Sequence, residues 1–414
     1  MKYYPRILEK KIRDTLTRKE AIFILGARQV GKTTLIKHLM EELEIDRTLY
    51  FDLENPANLS IINKGINEFL AFLSSQELAK DTINYIFIDE IQYADDFSSL
   101  IKYFVDHHSD KYKFILSGSS SLQIRKKFHE SLVGRKIVFE LYPLTFSEFC
   151  AFKDETVLSK KLLEINPYKL EENPLRFENE KVKNLLKEFL LYGGFPKIVL
   201  EKKKDNKIRD LEDIVNSYIM KDIRHIFNLE KTEQFNHLIK LLAVFMGKEL
   251  NITQLSNETK LHKQTLENYL TALESGYITR MIKPYHSNLA TELRKTPKCY
   301  FIDSGIRNFL VSNFSEMEFR PDRGELMENF VFSQLIKKAD SLTKINFWRT
   351  KNKQEIDFIL QKENELIALE VNWNDGSVQS LKKFKQIYPE AEPFLVSMLQ
   401  DFSVERRVLV GYLV

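Results

Sequence analysis

The sequence is poor in cysteine, in net charge and in long apolar runs. Cys150 and Cys299 are its only two cysteines and lie far apart. Two lone thiols build neither a disulfide framework nor a zinc knuckle, and a reducing compartment is the simple reading. No apolar run of about 18 residues occurs, which excludes a membrane-spanning helix. The start Met1-Lys2-Tyr3-Tyr4-Pro5-Arg6 carries charge with no apolar core behind it. No signal peptide is therefore expected, and a cytoplasmic location is. Lys+Arg number 62 against 59 Asp+Glu, for a net charge of +3. Bulk charge thus selects neither a nucleic-acid binder nor an acidic-surface protein, and any basic site must be local. The eight histidines are scattered, with no His-Glu-x-x-His, and no serine nucleophile elbow appears.

The chain is a folded one, because 12% of its residues are aromatic and its net charge is small. Its 414 residues correspond to two to four domains at about 100–200 residues each. The first 150 residues alternate short apolar runs with helical spacing, and the runs predict strands near 21–25, 47–52, 85–88, 113–116 and 136–139. Such strands with helices between them mean an α/β fold with a parallel sheet covered on both faces. Residues 151–230 are lysine- and glutamate-rich with helical periodicity, interrupted at Gly193-Gly194-Phe195-Pro196. They read as a helical lid or connector. Residues 231–318 read as helices followed by a hairpin. Residues 319–414 read as a small α/β domain. These ranges, with 1–150, are the expected domains.

The strongest motif is Gly26-Ala27-Arg28-Gln29-Val30-Gly31-Lys32-Thr33, followed by Thr34. It fits G-x-x-x-x-G-K-[ST] directly after an apolar strand and at the opening of a helix. Glycines let the loop wrap with its N–H groups aimed at phosphate oxygens, and the helix adds its positive end. Lys32 would reach the β- and γ-phosphates, and the Thr33 hydroxyl would ligate Mg2+.

A second motif, Ile86-Phe87-Ile88-Asp89-Glu90, ends a buried strand in two carboxylates. Asp89 would hold the magnesium and Glu90 would orient and polarise the attacking water. A third strand ends in Ser117-Gly118-Ser119-Ser120. Ser117 or Ser119 is placed to sense the γ-phosphate, while Ser120 reads equally as a helix N-cap. Arg135, after Gly134, is either a surface arginine or one that reaches a phosphate, in its own site or a neighbour's. A role in a neighbour's site requires an oligomer.

Later in the chain, residues 253–274 read as a short helix, a turn and a second helix. The apolar spacing of Leu266, Tyr269, Leu270 and Leu273 gives the second helix one buried face. Its other face begins with His262, Lys263, Gln264 and Thr265, residue types that meet phosphates or base edges. Residues 276–280 and 298–301 would form a wing hairpin, with Lys283, Arg294, Lys295 and Lys298 nearby. This is a winged-helix reading, with DNA or a protein as the partner. Arg125-Lys126-Lys127 and Lys202-Lys203-Lys204 read as solvated helix faces.

In the last segment, Glu328 lies on a helix, and Asp357 and Glu370 lie on successive strands. A helix acid with two strand acids is the layout of a hard-metal site.

Pro5-Arg6, the loop Gly26 to Thr33, Asp89-Glu90-Ile91-Gln92, Ser117-Gly118-Ser119-Ser120, Gly134-Arg135, Pro143-Leu144-Thr145-Phe146-Ser147-Glu148-Phe149 and Gly193-Gly194-Phe195-Pro196 occur in this order. The series resembles the prokaryotic AAA+-type ATPases that carry a C-terminal domain of unknown function. That resemblance implies sheet order 5-1-4-3-2, and ATP rather than GTP with Mg2+. The last segment is similar to the PD-(D/E)xK nuclease-like fold, which assigns Glu328, Asp357 and Glu370 as metal-site equivalents. Its catalytic lysine is expected two residues after the second acid, where this chain has Asn372. Asparagine carries no charge to activate water or steady a developing phosphate charge. Lys351, Lys353 or Lys362 would have to supply the amine, or Glu370 is a structural acid paired with Arg349 or Lys353. A degenerate domain is expected. The readings of function are an ATPase coupled to a DNA-facing winged helix, a slow nucleotide switch that binds a protein partner, and a metal-dependent endonuclease.

Overall fold

The computed structural model describes residues 2–119, 132–170, 172–175, 177–224, 227–286, 295–350, 354–374, 378–398, 403 and 408–414. Ser120, Arg125-Lys126-Lys127, Arg294, Lys351 and Lys353 lie outside the described residues. The chain folds as two compact units that meet in sequence at Tyr142/Pro143.

The first unit is α/β. Its elements are α1 (Ile7–Arg13), β1 (Ala21–Leu25), α2 (Lys32–Glu41), β2 (Thr48–Asp52), α3 (Pro56–Asn63), α4 (Ile66–Ser75), β3 (Asn84–Asp89), α5 (Phe97–His107), β4 (Tyr112–Gly118) and β5 (Lys136–Glu140). The five strands pair in the order β2-β3-β4-β1-β5, all parallel. This is the order that the resemblance implies, read from the other edge. All five residues of β1 are fully buried, so β1 reads as an unbroken apolar run rather than an alternation. Parallel pairing puts every carboxyl end on one edge, and that edge holds Leu25, Asp89 and Gly118.

The second unit opens with the helix Phe146–Phe152, whose Thr145 and Glu148 form a capping box. The Phe146 N–H donates to Gln334 Oε1 at 2.8 Å. These contacts tie Thr145, Phe146 and Glu148 into the second compact unit. Helices Thr156–Glu164, Asn179–Tyr192 and Lys204–Ile214 follow, and the last continues as a π-helix, Val215–Ile223.

The Gly193-Gly194 pair has a packing cause. Gly193 has φ +75°, and a Cβ there would stand 2.1 Å from the Asp303 carboxylate. Asp303 accepts from the Gly194 N–H at 2.7 Å and caps the helix Ser304–Leu310 through Ile306 N–H at 3.1 Å. Burial pushes its carboxyl above the usual range.

Helices Thr232–Val244, Ile252–Thr259 and Lys263–Ser275 precede an antiparallel pair, β6 (Thr279–Ile282) with β7 (Lys298–Phe301). The helix Arg323–Lys338 leads to a mixed sheet of β8 (Lys344–Arg349), β9 (Glu355–Lys362), β10 (Glu365–Asn372), β11 (Glu392–Ser397) and β12 (Val408–Val410). Among the described residues no helix is long and apolar enough to cross a membrane.

Candidate functional site

The loop 26–31 leaves β1 at the carboxyl edge and turns into α2. Backbone geometry dictates its glycines. A Cβ on Gly26 would stand 2.1 Å from the Leu141 carbonyl oxygen, and Gly31 has φ +98°. Gln29 shares the left-handed region at φ 62°. Ala27 and Val30 are buried, Arg28 is half-buried, and Gln29 and Thr34 are exposed. Arg6 braces the loop from outside, donating to Val30 O and Tyr142 O, each at 2.8 Å. The sequence marks Pro5-Arg6 without giving Arg6 this role.

Lys32 is buried, and its ammonium donates to Gly26 O at 3.1 Å and Ala27 O at 2.9 Å. Burial pushes its pKa down, against the pull of Glu90 and Asp89.

Asp89 gathers donors from three elements and from the residue that follows it. Thr33 Oγ1 donates to its Oδ2 at 2.6 Å and Tyr50 OH to the same oxygen at 3.1 Å. The Ser117 hydroxyl and the Glu90 N–H donate to its Oδ1. Tyr50, on β2, is a site residue that the sequence reading missed, because a tyrosine on a half-buried strand gives no signal by itself. Burial, with Asp89 and Asp52 adding charge, raises its phenol. Ser117 thus faces an acid rather than open space at the tip of β4.

Glu90 follows β3 in the left-handed region, φ 58° and ψ 48°. Its Oε2 accepts from the Gln92 amide, and the same amide nitrogen donates to Ser119 Oγ at 3.0 Å.

The residues present fit magnesium. The Thr33 hydroxyl and the Asp89 carboxylate share a hydrogen bond, and oxygen donors of this kind suit a hard cation. When bound, the ion would neutralise charge on phosphate oxygens.

Arg135 lies elsewhere. It precedes β5 at the amino-terminal edge of the sheet, where Ala21 pairs with Lys136, at the opposite end of β1 from the loop. Its Nε donates to Asp106 Oδ1 at 2.6 Å, and its NH1 to Val133 O at 3.1 Å. It lies apart from Lys32, Thr33 and Asp89 of its own chain, because the parallel register sets the two at opposite edges.

In the second unit, His262, Lys263 and Gln264 are exposed and Thr265 is half-buried. Glu267, Asn268 and Thr271 extend the exposed face of that helix.

Two of the three C-terminal acids, Glu328 and Asp357, lie beside a lysine that the sequence reading set on the wing, and Glu355 is its third partner. Lys298 Nζ lies 3.2 Å from Glu328 Oε1, 2.5 Å from Glu355 Oε1 and 3.8 Å from Asp357 Oδ1. It is 2% exposed, so it meets no nucleic acid. Burial works against its charge, but Glu328, Asp357 and Glu355 outweigh that and raise its pKa. Tyr300 OH also donates to Glu328. Asp357 accepts from Val371 N–H at 2.8 Å. Burial first, then Glu328, raises the Asp357 carboxyl. Glu370 is pushed up to about 7, mainly by burial. Its Oε2 and Asn372 Nδ2 are buried without a hydrogen-bond partner.

Lys362 pairs with Asp340, and Arg349 pairs with Glu249 and Glu355, so neither supplies the amine or a partner for Glu370. Among the described residues, the one group of three with ligand atoms within 4.8 Å of one another is Glu9, His38 and Glu42, which Arg13 already bridges. Among the described residues the ligand atoms of Glu328, Asp357 and Glu370 do not converge within 4.8 Å of one another, so these acids do not form a divalent-cation site.

A parallel sheet in this strand order that presents Lys32, Thr33 and Asp89 at its carboxyl edge is the P-loop fold. Residues 18–150 match the family described as an AAA domain. Residues 183–317 and 323–410 each match a domain of unknown function. The chain is 25% identical over 370 residues to the uncharacterized protein MJ1544 of Methanocaldococcus jannaschii, covering 88% of this chain and 77% of that one. It is 23% identical over 382 residues to an uncharacterized protein of Haemophilus influenzae, covering 88% and 86%. A solved Walker-type ATPase of Pyrococcus abyssi aligns at 15% identity and a TM-score of 0.47, over 75% of this chain and 96% of that one.

Proposed function

We propose that this chain is a magnesium-dependent ATP hydrolase whose nucleotide state governs how its second unit binds DNA. The carrying observation is the 2.6 Å hydrogen bond from Thr33 to Asp89 beside buried Lys32. It brings a hydroxyl, a carboxylate and an ammonium from separate motifs to one edge. Lys32 and the loop N–H groups bind and orient the triphosphate. Glu90 orients water for attack on the γ-phosphorus. The bond to the bridging oxygen breaks, ADP leaves with the electron pair, and Glu90 takes the proton from water. Arg6, Tyr50 and Ser117 hold these groups in place.

The DNA-facing part of the reading is supported by three helices followed by the β6–β7 pair, and by exposed Lys263 and Gln264. One observation favours a second reading. Glu267 shares the exposed face with Lys263, so the face is nearly neutral, which suits a nucleotide switch with a protein partner. The endonuclease reading lacks a converged group of acids in the last segment among the described residues.

The test is ATP hydrolysis with and without DNA at two salt concentrations. DNA stimulation that fades steeply with salt supports the first reading, because phosphate contacts release counterions. Turnover indifferent to DNA supports the second.

A further inference from the structure

Gln92 belongs to the motif after the acid pair, and nothing so far gives it a task. Its side chain spans two elements. The amide nitrogen donates to Glu90 Oε2 and to Ser119 Oγ, the latter at 3.0 Å, and the amide oxygen accepts from Ser119 N–H at 3.3 Å. Ser119 is 1% exposed and follows β4, whose last residue, Gly118, accepts from the loop's Gly26 N–H at 3.3 Å. The tip of β4 therefore addresses both acids. Ser117 holds Asp89 directly, and Ser119 reaches Glu90 through Gln92.

Glu90 needs such a tether. It lies beyond the last strand residue, in a left-handed backbone conformation, and strand pairing does not fix its side chain. A long carboxylate with free rotamers spends little time in one orientation.

We propose that Gln92 is a positioning residue for hydrolysis: it ties the Glu90 carboxylate to Ser119 at the tip of β4 and so keeps it facing the phosphate loop. This rests on the reading of the chain as an ATP hydrolase with Glu90 as its base. The amide must both donate and accept, so neither an acid nor a hydrocarbon replaces it.

The experiment is steady-state MgATP hydrolysis by the full chain, with melting temperatures measured alongside. Gln92→Ala and Gln92→Glu should each lower kcat by roughly tenfold or more and leave KM within about twofold. The near-isosteric Gln92→Glu is the informative variant, since a merely space-filling role would survive it. Ser119→Ala should lower kcat in the same direction and add little to Gln92→Ala. In a Glu90→Gln background, Gln92→Ala should cause no further loss. Unchanged kcat in both Gln92 variants, or an undiminished loss in the Glu90→Gln background, overturns the proposal. A wild type that does not hydrolyse ATP, or a Glu90→Gln protein as fast as wild type, overturns the parent reading and this one with it.

Discussion

Thr33 and Asp89 are 56 residues apart in the chain and share a hydrogen bond of 2.6 Å. The first lies in the first turn of α2 and the second closes β3. The parallel sheet, with β4 between β1 and β3, brings them together. Thr33→Val keeps the shape and removes the hydroxyl. Affinity for a fluorescent ATP analogue should fall at least about tenfold with magnesium present and change little in EDTA. An equal loss in both conditions would make Thr33 a packing residue.

Arg135 is the residue where sequence order misleads. It follows a glycine and precedes a strand, as a phosphate-reaching arginine would, but the parallel register carries it to the far edge, where Asp106 takes it. Arg135→Ala should hydrolyse ATP within about twofold of wild type in dilute protein, since the lost pair is half-exposed and worth little. A loss that grows with protein concentration would assign the arginine to a neighbouring copy.

Gly26 is fixed by contact rather than by φ. The atom that its Cβ would meet is a backbone oxygen, Leu141 O at 2.1 Å, and backbone yields less readily than a side-chain tip. Gly26→Ala should cost about 1–3 kcal/mol in stability, measured by denaturant unfolding, and should abolish turnover. A variant of unchanged midpoint would mean that the loop relaxes freely.

Asp303 carries a pH dependence. Its folded pKa is raised by burial, so its contribution is complete below the unfolded value and is lost as pH rises through the folded one. Asp303→Asn lacks that titration. The melting temperature of the variant relative to wild type should therefore rise between pH 4 and pH 7. A constant difference across this range would contradict a raised pKa.

The phosphate loop, the acid pair and the five strands were legible because each is local. A loop, a helix start and an apolar run all declare themselves within ten residues. The roles of Arg6 and Tyr50 were not legible, since each acts on a partner distant in sequence and its own neighbourhood carries no signal. Lys298 shows the limit from the other side. Beside Cys299 it reads as a wing cation, yet β7 lies against the helix that carries Glu328 and buries it among three acids. Asn372 marks in sequence where the last segment departs from the metal-site pattern, but no local signal places a lysine of β7 beside Glu328 and Asp357.

The most direct test of the account is MgATP hydrolysis by the purified wild type beside Lys32→Ala and Glu90→Gln. The account predicts measurable turnover in wild type and none in Lys32→Ala, with nucleotide binding lost as well. Glu90→Gln should bind ATP like wild type and hydrolyse it about 10²–10⁴-fold more slowly. Hydrolysis by Glu90→Gln at the wild-type rate, or a Lys32→Ala protein that still binds and turns over ATP, would contradict it.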